Sequence, residues 1–167
     1  MDRAVVEAAA LLHDLDKALP GDDPLRALGH GHAGARWLTE RGYTELAAAV
    51  DSHPVGRLME QPYDDWVRIT TLEQRIVAYA DKRAQRRVVT LDQRFARWRQ
   101  KHPDMDAELA AARVRAGSLE AEMCTLAGVT PADVRRRRWA TAALRDAGAR
   151  DTGARDSGAN RDRVTPA

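Results

Sequence analysis

Four histidines and two carboxylates carry the chemical content of this chain. His13-Asp14 closes an apolar segment and is followed closely by Lys17. His30 and His32 stand at the head of the next helical segment. His53 lies where a helix gives way to a proline loop, and Asp81 follows Ile76-Val77-Ala78-Tyr79-Ala80, four residues after Val77 and so on the inward side of its helix. Ionisable groups on core-facing positions are costly unless paired or bound to metal. Several of them arriving from separate helices need a common explanation, and a divalent cation supplies one. Carboxylates and neutral imidazoles together satisfy it, and it offsets their desolvation.

The elements that must bring these residues together read as helices. The first runs from about Asp2 to Ala18, with Val5, Ala9 and Leu12 in one stripe and Val6, Ala10 and His13 beside it, and ends at Pro20-Gly21-Asp22-Asp23-Pro24. A second runs from near Gly31 to Arg41 and stops at Gly42; a third runs from Thr44 to about Ser52, before Pro54. The stretch from His53 to Trp66 reads as loop. The next helix opens at Thr71-Leu72-Glu73-Gln74 and is expected to turn Leu72, Ile76, Val77, Ala80 and Ala84 inward. Further helices are expected from Leu91 to Lys101 and from Asp104 to about Ala127, the latter with a possible break at Gly117-Ser118. Thr130, Pro131 and Asp133 cap a last one. The best strand candidate, Arg87-Val88-Val89-Thr90-Leu91, is short and bounded by helix formers. The fold class predicted is all-α.

Composition narrows the functional classes. Hydrophobic residues make up 44% and charged residues 31%, which fits a globular chain with a core of Ala, Leu and Val, since aromatics are only 5%. No apolar run reaches membrane-spanning length, and Met1-Asp2-Arg3-Ala4 lacks a signal-peptide layout. The single cysteine, Cys124, rules out an internal disulfide and is expected to be a small core residue. A cytoplasmic location is therefore expected. With 27 basic and 25 acidic residues, net charge gives no case for nucleic-acid binding. Arg135-Arg136-Arg137-Arg138-Trp139 could bind RNA, but four consecutive helical residues point in four directions, and a solvated face is the favoured reading. His102, before Pro103, is read as a surface residue, and the segment from Ala147 onward as disordered.

The segment Ala8-Ala9-Ala10-Leu11-Leu12-His13-Asp14-Leu15-Asp16-Lys17 resembles the "AALLHDIxK" signature of the HD-domain metal-dependent phosphohydrolases. His30-Gly31-His32-Ala33-Gly34-Ala35 is similar to that family's "HxxxGA" segment, Val50-Asp51-Ser52-His53 to its next histidine, and Ala78-Tyr79-Ala80-Asp81-Lys82 to its final "AD". The order HD, H, H, AD spans residues 4 to 100 and is far more specific than the HD dipeptide alone. The resemblance implies an HD-like helical bundle over residues 1–103; beyond it, the residues themselves read as a helical extension over 104–146 and a disordered tail over 147–167. It implies that His13, Asp14 and Asp81 ligate a first metal and that Asp14 bridges to a second held by His30 and His53. Asp14 and Lys17 are the catalytic candidates, with Lys17 against a substrate phosphate. His32 competes with His30 as a ligand and is otherwise a substrate-binding candidate; His30 is preferred because its spacing to Gly34 matches the family segment.

The implied chemistry is hydrolysis of a phosphate ester or anhydride. The anionic oxygens of such a substrate repel nucleophiles, and a metal both neutralises them and lowers the pKa of bound water from ~15.7 towards ~7. Mixed imidazole and carboxylate donors favour Mn, Fe, Co, Ni or Zn over Mg alone, with one or two ions. No second histidine beside His53 and no Gly-Tyr-Pro loop after it argue against the cyclic-di-GMP branch, and Lys17-Ala18 against the alarmone hydrolases. A small nucleotide or other phosphorylated metabolite is the expected substrate, a dinucleoside polyphosphate among the possibilities. The alternative is an impaired HD scaffold that binds a nucleotide or RNA. The resemblance also implies a further metal-binding histidine on an upstream helix, whereas Met1 stands twelve residues before His13. Either the natural start lies upstream or that ligand is lost; the apolar face at Val5-Val6 favours the first.

Overall fold

The computed structural model describes residues 1–60 and 62–136, and every regular element within them is helical. Helix α1 (Arg3–Leu12) starts at Asp2, whose carboxylate accepts the amides of Ala4 and Val5 at 2.8 and 3.2 Å. It is shorter than the sequence suggests. Asp14 leaves helical geometry (φ −99°, ψ 20°) and the chain tightens into a 3-10 turn over Leu15–Ala18, so the HD pair sits on a break and not inside a continuous helix. A second 3-10 turn (Pro24–Leu28) leads to α2 (His32–Thr39) and α3 (Thr44–Ser52), an antiparallel pair. They close over Ala35, Leu38, Ala47 and Val50, with Leu12 and Leu15 packed alongside. Alanines let the helices approach closely: Ala9 of α1, Ala49 of α3 and Val77 form a second buried contact.

The segment read as loop from His53 to Trp66 instead holds two short helices, α4 (Gly56–Glu60) and α5 (Tyr63–Ile69). Five and seven residues are too few to display a helical period, and such helices are not stable alone. Tertiary burial of Leu58 and Trp66, each 1% exposed, holds them. Helix α6 (Leu72–Arg83) opens with the reciprocal Thr71 and Gln74 cap. Its inward face also departs from expectation. Val77 is buried, but Ala80 and Ala84 are exposed, and Ala78, Lys82 and Arg83 are buried in their place. Helix α6 is packed on two sides, through Val77 onto α1 and α3 and through Ala78 onto the C-terminal half, so a single-stripe reading misassigns its flanks.

Helix α7 (Leu91–Lys101), capped by Thr90 and Gln93, leads through a 3-10 turn (Pro103–Met105) to α8 (Asp106–Ala127). Helix α8 runs unbroken through Gly117-Ser118 and ends at Gly128 in the left-handed region. The strand candidate amounts to one isolated bridge between Ala84 and Val88, and Leu91 begins α7. The largest core cluster joins Leu58, Trp66, Ala78, Leu91 and Phe95 to Leu109, Ala112, Ala116, Leu119 and Met123 of α8. Cys124 is buried and unpaired, as expected of a core thiol. Helix α9 (Pro131–Arg136) includes Arg135 and Arg136; Arg137, Arg138, Trp139 and the segment from Ala147 lie outside the described residues. Among the described residues no helix is long and apolar enough to cross a membrane.

Candidate metal centre

The site is assembled from helix ends. His13 is the C-cap of α1, His53 the C-cap of α3, and Asp81 lies in the last turn of α6. Helix C-termini carry partial negative charge, so two converging ends already favour a cation before any side chain is counted. His30 arrives from the loop before α2, and two glycines make that possible. Gly31 has φ +82°, and a Cβ there would lie 2.5 Å from Cγ of Pro54, the residue after His53. At Gly34 a Cβ would meet Val50 at 3.3 Å and Leu15 at 3.6 Å, so α2 can lie directly against the elements that carry His13 and His53.

The three imidazoles are all oriented the same way. His13 donates Nδ1–H to the Ala10 carbonyl at 2.7 Å, His53 donates Nδ1–H to the Val50 carbonyl at 2.5 Å, and His30 donates Nδ1–H to Oδ2 of Asp16 at 2.9 Å. Each acceptor lacks a proton, so each ring keeps its hydrogen on Nδ1 and offers a bare Nε2 lone pair to the site. Two of these atoms, on His30 and His53, lie 3.1 Å apart. Lone pairs at that distance repel unless something positive sits between them. On the His53 side that position is a lone pair, because burial pushes the His53 pKa down to about 4; the Val50 hydrogen bond and Asp81 oppose this, while His30 and Lys82 add to it. The donor set therefore fits a divalent cation.

Asp14 divides its two oxygens between the halves of the site. Oδ1 lies 3.6 Å from His30 Nε2 and 4.0 Å from His53 Nε2; these three residues form a group whose ligand atoms are all within 4.8 Å of one another. Oδ2 lies 3.5 Å from His13 Nε2, which in turn is 3.9 Å from Asp81 Oδ1. The carboxylate thus stands between the two ligand groupings that the family resemblance implies. Burial opposes the ionisation of Asp14, but the Lys17 hydrogen bond and charge, with His13 and His30 alongside, outweigh it and hold the carboxyl below its ordinary range. Lys17 Nζ is 2.7 Å from Asp14 Oδ1 and largely exposed. His53 is the buried floor, whereas His30 and Asp14 form an open rim.

His32 is placed elsewhere. It meets Asp51 at 2.8 Å and Arg57 at 2.6 Å, in a polar cluster beside α3 and α4. His102 caps α7, partly buried, with its amide on the Trp98 carbonyl. Three supporting residues were not singled out from the sequence. Asp16 orients His30 and keeps its own Oδ1 buried without a partner. Lys82 is fully buried and donates to the carbonyls of His53 at 2.8 Å and Ala78 at 3.1 Å; burial lowers its pKa to about 8, with Arg94 adding and Asp81 opposing. Arg94 reaches Asp81 Oδ1 at 3.2 Å. Asp16 and Lys82 sit inside the motifs themselves and their proximity was a usable signal; Arg94, thirteen residues past Asp81 on another helix, carried none.

A helical bundle whose helix ends gather imidazoles and carboxylates is the architecture of a metal-binding helical domain. The HD-domain family model matches residues 1–85, more than half the chain. The chain belongs to the HD-domain family, the superfamily of metal-dependent phosphohydrolases. Comparison with curated proteins and with solved structures finds no match.

Proposed function

We propose that this protein is a metal-dependent phosphohydrolase acting on a small phosphorylated compound, foremost a nucleotide. The observation that carries the reading is the convergence of three bare Nε2 atoms on one carboxylate, Asp14, at an open rim. His30, His53 and Asp14 would hold one divalent ion, and His13 and Asp81 with the second Asp14 oxygen would hold another. The ion supplies charge neutralisation at the phosphoryl oxygens and a water of lowered pKa. Imidazole donors favour Mn, Fe, Co, Ni or Zn over Mg.

The chain's own residues do the rest. His53, buried and neutral, offers a lone pair that needs no deprotonation at neutral pH. Asp16 fixes the ring of His30, and Lys82 fixes the backbone that carries His53. Lys17, exposed and 2.7 Å from Asp14 Oδ1, would hold a non-bridging phosphate oxygen and stabilise charge on the leaving oxygen. His32 is held by Asp51 and Arg57 and takes no part in this scheme.

The test measures phosphate release from a nucleotide panel with Mn, Co, Ni, Zn or Mg, beside metal content after dialysis. Turnover is expected with an imidazole-preferring metal, and Asp14→Ala is expected to lose bound metal together with at least a hundredfold of kcat/KM. Metal retained in Asp14→Ala, or no turnover from metal-loaded protein on any phosphorylated compound, would overturn the reading.

A further inference from the structure

Beside the metal centre, where α6 passes into α7, lies a cleft of about 770 Å³ lined by Arg86, Arg87, Arg94, Arg97, Lys101 and Trp98. Five permanent cations line it and no carboxylate does. Among the described residues, Arg86, Arg87, Arg97 and Lys101 have no acidic partner, and only Arg94 is paired, with Asp81. Like charges gathered into one concavity repel one another, so the arrangement costs stability in the absence of an anion. The overall charge of +2 makes this concentration a local feature.

The backbone that carries these cations is fixed, while the side chains of Arg86, Arg87, Arg97 and Lys101 are exposed. Arg94, Arg97, Trp98 and Lys101 fall at i, i+3, i+4 and i+7 on one face of α7. Arg86 and Arg87 lie in the turn closed by the Ala84 to Val88 bridge. Arg83, itself buried, clasps that turn: its carbonyl accepts the Val89 amide at 2.8 Å and its Nε donates to the Val89 carbonyl at 2.6 Å, while Glu120 neutralises it. Arg94 joins cleft and metal centre. Its guanidinium lies over the Trp98 ring at 4.5 Å, reaches Asp81 at 3.2 Å, and keeps a buried Nε without an acceptor.

We propose that this cleft is a second anion subsite of the substrate, holding phosphate groups other than the one at the metal centre, so that the preferred substrate is a condensed phosphate chain and not a simple monophosphate ester. The inference rests on the phosphohydrolase reading for the word substrate, but the subsite itself rests on the cleft alone. A monophosphate neutralised at the metal centre has no use for the four cations that Asp81 does not pair. A chain of two or three phosphates extending past Asp81 would find Arg94 and the cleft behind it, and arginine forks suit its oxygens. A nucleic-acid surface would instead carry its basic residues along an extended stripe.

The test is equilibrium binding by calorimetry of tripolyphosphate, ATP, AMP, orthophosphate and a single-stranded oligonucleotide, with chelator and again with Mn. Tripolyphosphate and ATP are expected to bind at least tenfold more tightly than orthophosphate and AMP in chelator. Arg97→Ala/Lys101→Ala is expected to bring that ratio close to one, with an unchanged or raised Tm because like charges are removed. A further gain of ATP over tripolyphosphate identifies a nucleotide as the carrier of the chain; equal affinities identify the phosphate chain as the recognised part. Equal affinity for mono- and triphosphates, or an unchanged ratio in the double variant, overturns the subsite. Tightest binding of the oligonucleotide also overturns it, in favour of a nucleic-acid face. Selective binding in chelator without hydrolysis in any metal keeps the subsite and removes the hydrolase reading.

Discussion

At the scale of the residue, the site is governed by which nitrogen of each imidazole holds the proton. Three different acceptors, two helix carbonyls and the Asp16 carboxylate, impose the same answer on His13, His53 and His30. His53 is the most constrained, fully buried with its pKa held near 4. An unfolded histidine titrates near 6.5, so between about pH 6.5 and 4 the unfolded chain binds the extra proton and the folded chain does not. Stability of the metal-free protein is therefore complete above that range and falls as the pH drops through it, by on the order of 3 kcal/mol. Urea denaturation at stepped pH checks this: His53→Gln should flatten the slope between pH 6.5 and 4, and an unaltered slope would show that His53 is protonated in the fold. Asp14, whose carboxyl is held below its ordinary range, contributes in a separate window at lower pH.

At the scale of the element, helix ends and tight approaches do the positioning. The break after α1 turns the HD pair out of regular helix, and Gly31 lets the His30 loop pass against Pro54 beside His53. A side chain at position 31 meets two obstacles at once, a positive φ and a Cβ contact of 2.5 Å. Gly31→Ala is expected to cost about 2 kcal/mol or more and to separate His30 from His53. A lowered Tm with weakened Mn affinity is the expected pair of readings; full metal affinity in the variant would show that the loop tolerates the shift. The turn at Ala84 to Val88 works by the same logic, since Arg83 fixes its backbone while the flanking arginines face the cleft.

At the scale of the whole molecule, the C-terminal half is part of the same core. Leu119 of α8 is 0% exposed and shares its cluster with Trp66 of α5, Ala78 of α6 and Phe95 of α7. Leu119→Ala is expected to cost about 2 to 5 kcal/mol and to shift one cooperative melting transition that includes the metal-binding half. Two calorimetric peaks, with only the C-terminal one shifted, would instead make residues 104 onward a separate unit. The amino-acid order by itself determined the helical class, the starts of the longer helices to within a few residues, and the ordered HD, H, H, AD residues, because these depend on local periodicity and short spacings. Helices α4 and α5, the two-sided burial of α6 and the departure of His32 from the site depended on packing between distant segments, which no window of sequence contains. The roles of Asp16, Lys82 and Arg94 were decided only in three dimensions, for a physical reason: a hydrogen-bond partner is chosen by distance in space, and Arg94 of α7 meets Asp81 of α6 across a turn whose path no local pattern specifies.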